Sequence, residues 1–273
     1  MKILAVIQLT FRESFAKKTF MAFLGISTLV CVIFLFALNL DIVDGMKSSI
    51  SLFGKESSRI VDLHRILRVL EGGVAFLLFT GGLFLSLFAT SSLIPNMLQT
   101  GNIDLLISKP LSRAELLLGK YLGAVAIVAF NVFYLIIFSW LILSVKTGLW
   151  NFGFLLAGVM IVITFAVLNA LMMLLGLLTR SGPFSLMLTY LILFFSPLLL
   201  QRDRIYALLS NKIYGYLVDG LYYLLPKTAE LGNLTREMVQ GAAVSSWMPL
   251  WSSLLFGIAV FGISSAIFQR KNF

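Results

Sequence analysis

One cysteine and one histidine stand among the 273 residues of this chain. Cys31 and His64 cannot between them build a metal cluster or a Cys–His nucleophile pair. With no second cysteine there is no internal disulfide. Cys31 falls inside an apolar run and reads as packing; His64 reads as a solvated loop residue. Charge is also scarce: 12% of residues are charged, against roughly 25% in a soluble globular chain. No G-x-x-x-x-G-K-[ST] occurs, and Gly54-Lys55 lacks the earlier glycine, so the chain offers ATP no phosphate loop. The net charge of +9 comes without a basic run or aromatic–basic interleaving. That excludes a nucleic-acid reading and leaves bases flanking membrane spans as the source of the excess.

What is present is apolar length. Charge-free runs cover 19–40, 72–103, 121–145, 147–179, 181–201 and 238–269. About 20 apolar residues cross a hydrocarbon core of about 30 Å, and lipid gives the backbone no partners, so each run must be helical. The fold class expected is an all-α polytopic membrane protein with six transmembrane helices, one transmembrane domain over 1–273. None of the runs carries an Asp, Glu, Lys, Arg or His, one of which ion-coupled carriers usually place at mid-membrane. The polar residues at depth are Asn39, Asn131, Ser139, Thr164, Asn169 and Ser196, expected to hydrogen-bond between helices. No energy converter is visible, so active transport would draw its energy from outside the chain.

The chain is organised around a polar interruption, residues 96–120. Asn102 can cap a short helix through Ile107, with Asp104 in its first turn. Lys109 precedes Pro110 and ends that helix. Ser112-Arg113-Ala114-Glu115 fits a capping box that restarts the chain as the third span. Two apolar patches among charges mark this as the contact with a soluble partner, through Asp104, Leu105, Leu106, Ser108, Lys109 and Arg113. The plainer alternative is an ordinary turn between spans.

Elsewhere the pattern is read in order. Residues 1–18 place Leu4, Ile7, Phe11 and Phe15 on one face, with bases largely off it, as in an interfacial helix. Span one is Phe20–Leu40, and 41–71 follows as a charged connection. Span two, Gly72–Ile94, carries Gly82, Ser86 and Thr90 as a small-residue seam and ends at Pro95. Gly119 and Gly123 form a G-x-x-x-G packing pair at the start of span three, Tyr121–Val145. Span four ends near Leu178, a tight turn covers 179–183, and span five is Phe184–Leu200. Residues 201–248 hold five of the eight tyrosines and predict one or two short external helices, ending near Pro226 at the membrane interface. Span six is Pro249–Phe268. With both termini inside, inner segments hold ten bases and three acids, and outer ones eleven and nine. The inner bases are denser and closer to the spans, which places both termini in the cytoplasm.

The stretch Asp104-Leu-Leu-Ile-Ser-Lys-Pro-Leu-Ser-Arg-Ala-Glu-Leu-Leu-Leu-Gly-Lys-Tyr-Leu-Gly123 resembles the segment after the second span in type-2 ABC transporter permeases. It is most similar to the branch related to multi-copper-enzyme maturation. The resemblance implies a permease subunit, itself not an enzyme, without cofactor of its own. ATP and Mg would be bound by separate ABC ATPase subunits. It further implies a homodimer in a bacterial or archaeal plasma membrane, surrounded by lipid, with 96–118 including the coupling helix. Tyr222-Tyr-Leu-Leu-Pro226 is similar to the family's external helices before the last span. An exporter is the leading reading. The alternative is a non-transporting membrane subunit that passes ATPase motion to an extracytoplasmic assembly or signalling protein.

Overall fold

The computed structural model describes residues 2–15, 18–36, 38–44, 47–52, 55–56, 61–98, 112–201 and 212–270. Among these the membrane body is helical. Helix α1 spans Lys2–Phe15 and α2 Lys18–Phe36. Helix α3 (Leu63–Leu77) passes through a π turn (Leu78–Gly82) into α4 (Leu83–Thr90), and α5 (Leu93–Met97) follows a two-residue break. Then come α6 (Arg113–Thr147), α7 (Phe152–Thr179), α8 (Gly182–Leu200), α9 (Lys212–Leu224), α10 (Thr228–Gln240) and α11 (Met248–Arg270). Five stretches are long and apolar enough to cross a membrane, and the shorter apolar helix Met21–Phe36 makes a sixth candidate. The chain is a multi-pass membrane protein.

Helix α7 is the central pillar. Of its apolar window 67% is buried, against 22–39% for the other four long spans, and no ionisable residue interrupts it. Phe154, Ile161, Phe165 and Leu168 are fully enclosed along it, meeting Ile136 and Leu143 of α6 and Leu78 and Leu87 of the second span. Asn151 caps its start by accepting from the Gly153 N–H at 3.1 Å. At its end Arg180 takes a left-handed conformation, φ 53°, and Ser181 caps α8, accepting from the Phe184 N–H at 3.5 Å. The tight turn expected over 179–183 is therefore a C-cap and an N-cap fused.

Several expectations are corrected. The second span starts early: Leu63 opens α3, so His64 is an exposed helical residue rather than part of a loop. Pro95 lies inside α5, and the true break comes earlier, at Ser91-Ser92. Span one stops at Phe36, and Asn39 belongs to a small antiparallel sheet that sequence reading treated as span and connection. Its strands are β1 (Leu38–Asp44), β2 (Lys47–Leu52), β3 (Lys55–Glu56) and β4 (Val61–Asp62). The alternation Leu38, Leu40, Ile42 has a period of two, not 3.6, and the register pairs Leu38 with Leu52 and Leu40 with Ile50.

The polar residues at depth divide. Ser196 does bond across helices, accepting from the Ala229 N–H at 2.9 Å. Thr164 and Asn131 instead donate into their own helix, to the Met160 and Ile127 carbonyls at 2.8 and 3.3 Å. Tyrosines make further cross-links. Tyr121 donates to the Ala166 carbonyl at 3.0 Å, Tyr190 to that of Phe84 at 2.6 Å, and Tyr134 pairs with Thr28 at 3.1 Å.

Among the described residues, the segment before the last span holds α9, which ends short of Pro226 as expected, and a second helix, α10, which begins after it. Leu231, Leu234, Thr235 and Met238 of α10 are buried, packed with Met160 and Leu250. Helix α10 is thus a core element. Helix α9 carries the exposed aromatic residues Tyr216 and Tyr223.

Candidate functional site

The polar interruption emerges at the end of the bundle where α1, α5 and the last turn of α11 meet. Val6, Met97, Leu98, Leu117, Leu177 and Phe268 form a closed apolar cluster there. Asp104, Leu105, Leu106, Ser108 and Lys109 lie outside the described residues, as does the short helix expected after Asn102. Arg113, the sixth expected contact, is the first residue of α6.

The restart itself is described. The Ser112 hydroxyl accepts from the Glu115 N–H at 3.2 Å, and the Ser112 N–H donates to Glu115 Oε2 at 2.8 Å. This reciprocal pair is a complete capping box, satisfying two amide groups that a helix start would otherwise leave unbonded. From there α6 runs 35 residues, roughly 50 Å at the helical rise. A hydrocarbon core needs about 30 Å, so the helix projects well past it as one rod.

Helix α1 is bolted to the first turns of that rod. Gly119 and Gly123 form the groove: a Cβ at either would lie 2.7 Å from the Cβ of Val6 or Thr10, respectively. Val6 and Thr10 are buried, whereas Leu4 is 61% exposed. The face of α1 turned toward the protein is thus a second one, distinct from the Leu4, Ile7, Phe11 and Phe15 face read from the sequence as resting in the membrane interface. Beside the groove Lys120 Nζ donates to Glu13 Oε2 at 2.6 Å, with Lys120 only 3% exposed and Glu13 42%. An ammonium so deeply enclosed requires an anionic partner. Sequence reading named the glycine pair but missed Val6, Thr10 and Glu13. Glu13 is the lone acid among residues 1–18, which was the available signal.

The 179–183 turn abuts the same region. A Cβ on Gly182 would stand 3.2 Å from the Ser91 carbonyl oxygen, at the break between α4 and α5. Three junctions thus converge at this end: the break within the second span at 91–92, the capped restart at 112–115, and the turn at 180–182.

The opposite end is tied differently. Asn151 Nδ2 donates to Glu71 Oε2 at 2.6 Å and to the Val239 carbonyl at 2.9 Å, so one amide joins α3, α7 and α10. Glu71, read as a loop acid, is wholly buried. Glu237 at the end of α10 accepts from the backbone N–H of Ser245 at 3.0 Å and from its hydroxyl at 2.7 Å. These bonds, the backbone one first, hold its carboxyl below the usual range.

Chemically this is a mechanical arrangement. Among the described residues no group of three or more His, Cys, Asp and Glu could hold a metal ion. What the α1 end offers is a long rod, rigidly started and braced, directly after a polar segment. No curated protein matches the chain. The family model for ABC-2 family transporter proteins matches residues 7–273, nearly its whole length, and the chain belongs to the ABC-2 family of membrane transporter components.

Proposed function

We propose that this chain is the permease subunit of an ATP-driven exporter, of the branch related to multi-copper-enzyme maturation, working as a homodimer with two separate ATPase subunits. It sits in a bacterial or archaeal plasma membrane with both termini cytoplasmic. Residues 96–120 then form the coupling segment, and 201–248 the external one. The observation that carries this is the braced rod. Motion delivered to 99–111 enters α6 through a closed capping box. It cannot dissipate in the first turns, because α1 is locked onto Gly119 and Gly123 and Glu13 holds Lys120. The push becomes a rigid-body tilt of α6 with α1 against the central α7. Hydrolysis of Mg-ATP is the work of the partner.

The test is a purified complex. Leu105→Ala with Leu106→Ala removes apolar anchors from a small interface centre, where one truncation costs about 2 kcal/mol or more. The double variant should insert normally yet lose its ATPase on co-purification. Wild-type retention with full activity would overturn the coupling assignment. Hydrolysis by the isolated chain would overturn the division of labour. A complex that hydrolyses ATP but moves no lipid or solute, while an extracytoplasmic protein docks on 201–248, would favour the non-transporting reading.

A further inference from the structure

A small cavity lies between the α4–α5 break, α6 and α7, lined by Thr90, Ser91, Lys120, Ala124, Asn169 and Met172 among others. Its volume for the centre of a water molecule is about 10 Å³, close to the threshold at which a site admits a single water. Asn169 is 4% exposed, and its Nδ2 has no hydrogen-bond partner in the protein. A buried amide donor left unpaired is costly, so the site calls for an acceptor.

The surrounding groups specify which one. Lys120 is 3% exposed and has three N–H donors, one committed to Glu13. The hydroxyls of Thr90 and Ser91 donate to the carbonyls of Ser86 and Phe88, each at 2.8 Å. With their hydrogens turned to the backbone, these two oxygens present lone pairs. An anion would meet those lone pairs, and the charge of Lys120 is already balanced. A metal cation would meet the ammonium and the amide donor. A neutral molecule with two lone pairs and two hydrogens suits all four groups.

We propose that this cavity holds one ordered water, accepting from Asn169 Nδ2 and Lys120 Nζ and donating to Thr90 and Ser91. The water joins the break in the second span to α6 and α7, and makes that junction a hydrated joint. The site stands apart from the permease reading and would persist if that reading failed.

The experiment uses the full-length chain in lipid nanodiscs. A map resolving waters should show density within hydrogen-bond distance of Asn169, Lys120, Thr90 and Ser91; a dry cavity in such a map overturns the proposal. A thermal double-mutant cycle reads the same point without a map. Ala124→Val should expel the water and lower Tm by about 2–4 °C. That cost should largely disappear in an Asn169→Leu background, where the amide donor no longer needs serving. An unchanged or raised Tm for Ala124→Val means that a dry void was filled. An equal loss in both backgrounds means overpacking. Either result overturns the assignment.

Discussion

At the residue scale, the fit of α1 against α6 depends on two missing side chains. Gly119→Ala places a methyl 2.7 Å from Val6 Cβ and Cγ1, a separation that forces the helices apart. The expected loss is about 1–3 kcal/mol, the usual range for overpacking, read as a lowered denaturation midpoint. Gly25→Ala is the control: a Cβ there meets nothing within 4 Å, and the better helix former should gain up to about 1 kcal/mol. The ion pair gives an asymmetric expectation. Glu13→Gln leaves an ammonium that is 3% exposed without its anion, whereas Lys120→Met removes the buried charge altogether. Glu13→Gln should therefore be the more destabilising of the two, and equal effects would argue against a buried charge at this position. The glycine spacing was legible in the chain because small residues four apart have few other uses. Its partners were not, because the strongest apolar face of α1 is Leu4, Ile7 and Phe11. The protein instead packs against Val6 and Thr10, a choice made by the groove.

At the element scale, the capping box and the Asn151 tie hold opposite ends. Ser112→Ala should cost about 1 kcal/mol and speed amide exchange in the first turn of α6 only. Asn151→Ala removes the cap of α7, the bond to the Val239 carbonyl and the donor to the buried Glu71. An unserved buried polar group costs about 1–3 kcal/mol, so this variant should be destabilised and α10 should exchange faster. Unchanged exchange in α10 would show that its apolar packing alone fixes it. The capping box could be read from four letters because its chemistry is local. Helix α10 was missed although Leu231, Leu234 and Met238 keep helical spacing, because the tyrosines before Pro226 dominated the segment. Pro226 reads as a stop, yet a proline is equally compatible with a helix start, and α10 begins just after it. The strands after Phe36 were hidden because Leu38 and Leu40 prolong an apolar run whose period changes from 3.6 to two.

At the scale of the whole molecule, the two ends differ in chemistry. Trp150, Trp247 and Trp251 are each about half exposed or more, and all stand at the end away from α1. Aromatic rings of this kind gather at a membrane–water interface. Arg12, Arg113, Arg180 and Arg270 stand at the α1 end. On the proposed topology the α1 end is the cytoplasmic one. A cysteine at Asn211 should react with an impermeant reagent added to intact cells, and labelling only after membrane disruption would reverse the topology. Five spans, a shorter sixth candidate and their order were legible from length and hydropathy, since lipid leaves the backbone few options. The identity of α7 as the central pillar was not, because burial among helices and exposure to lipid demand the same apolar side chains. The coupling assignment rests on a segment read from sequence and on the brace behind it. It meets its most direct test in a Ser108→Cys variant assembled with its ATPase in native membranes. A thiol cross-link to the ATPase is expected, weakened when Leu105 and Leu106 are both alanine. No cross-link, from a complex that remains assembled and hydrolyses ATP at the wild-type rate, would contradict it.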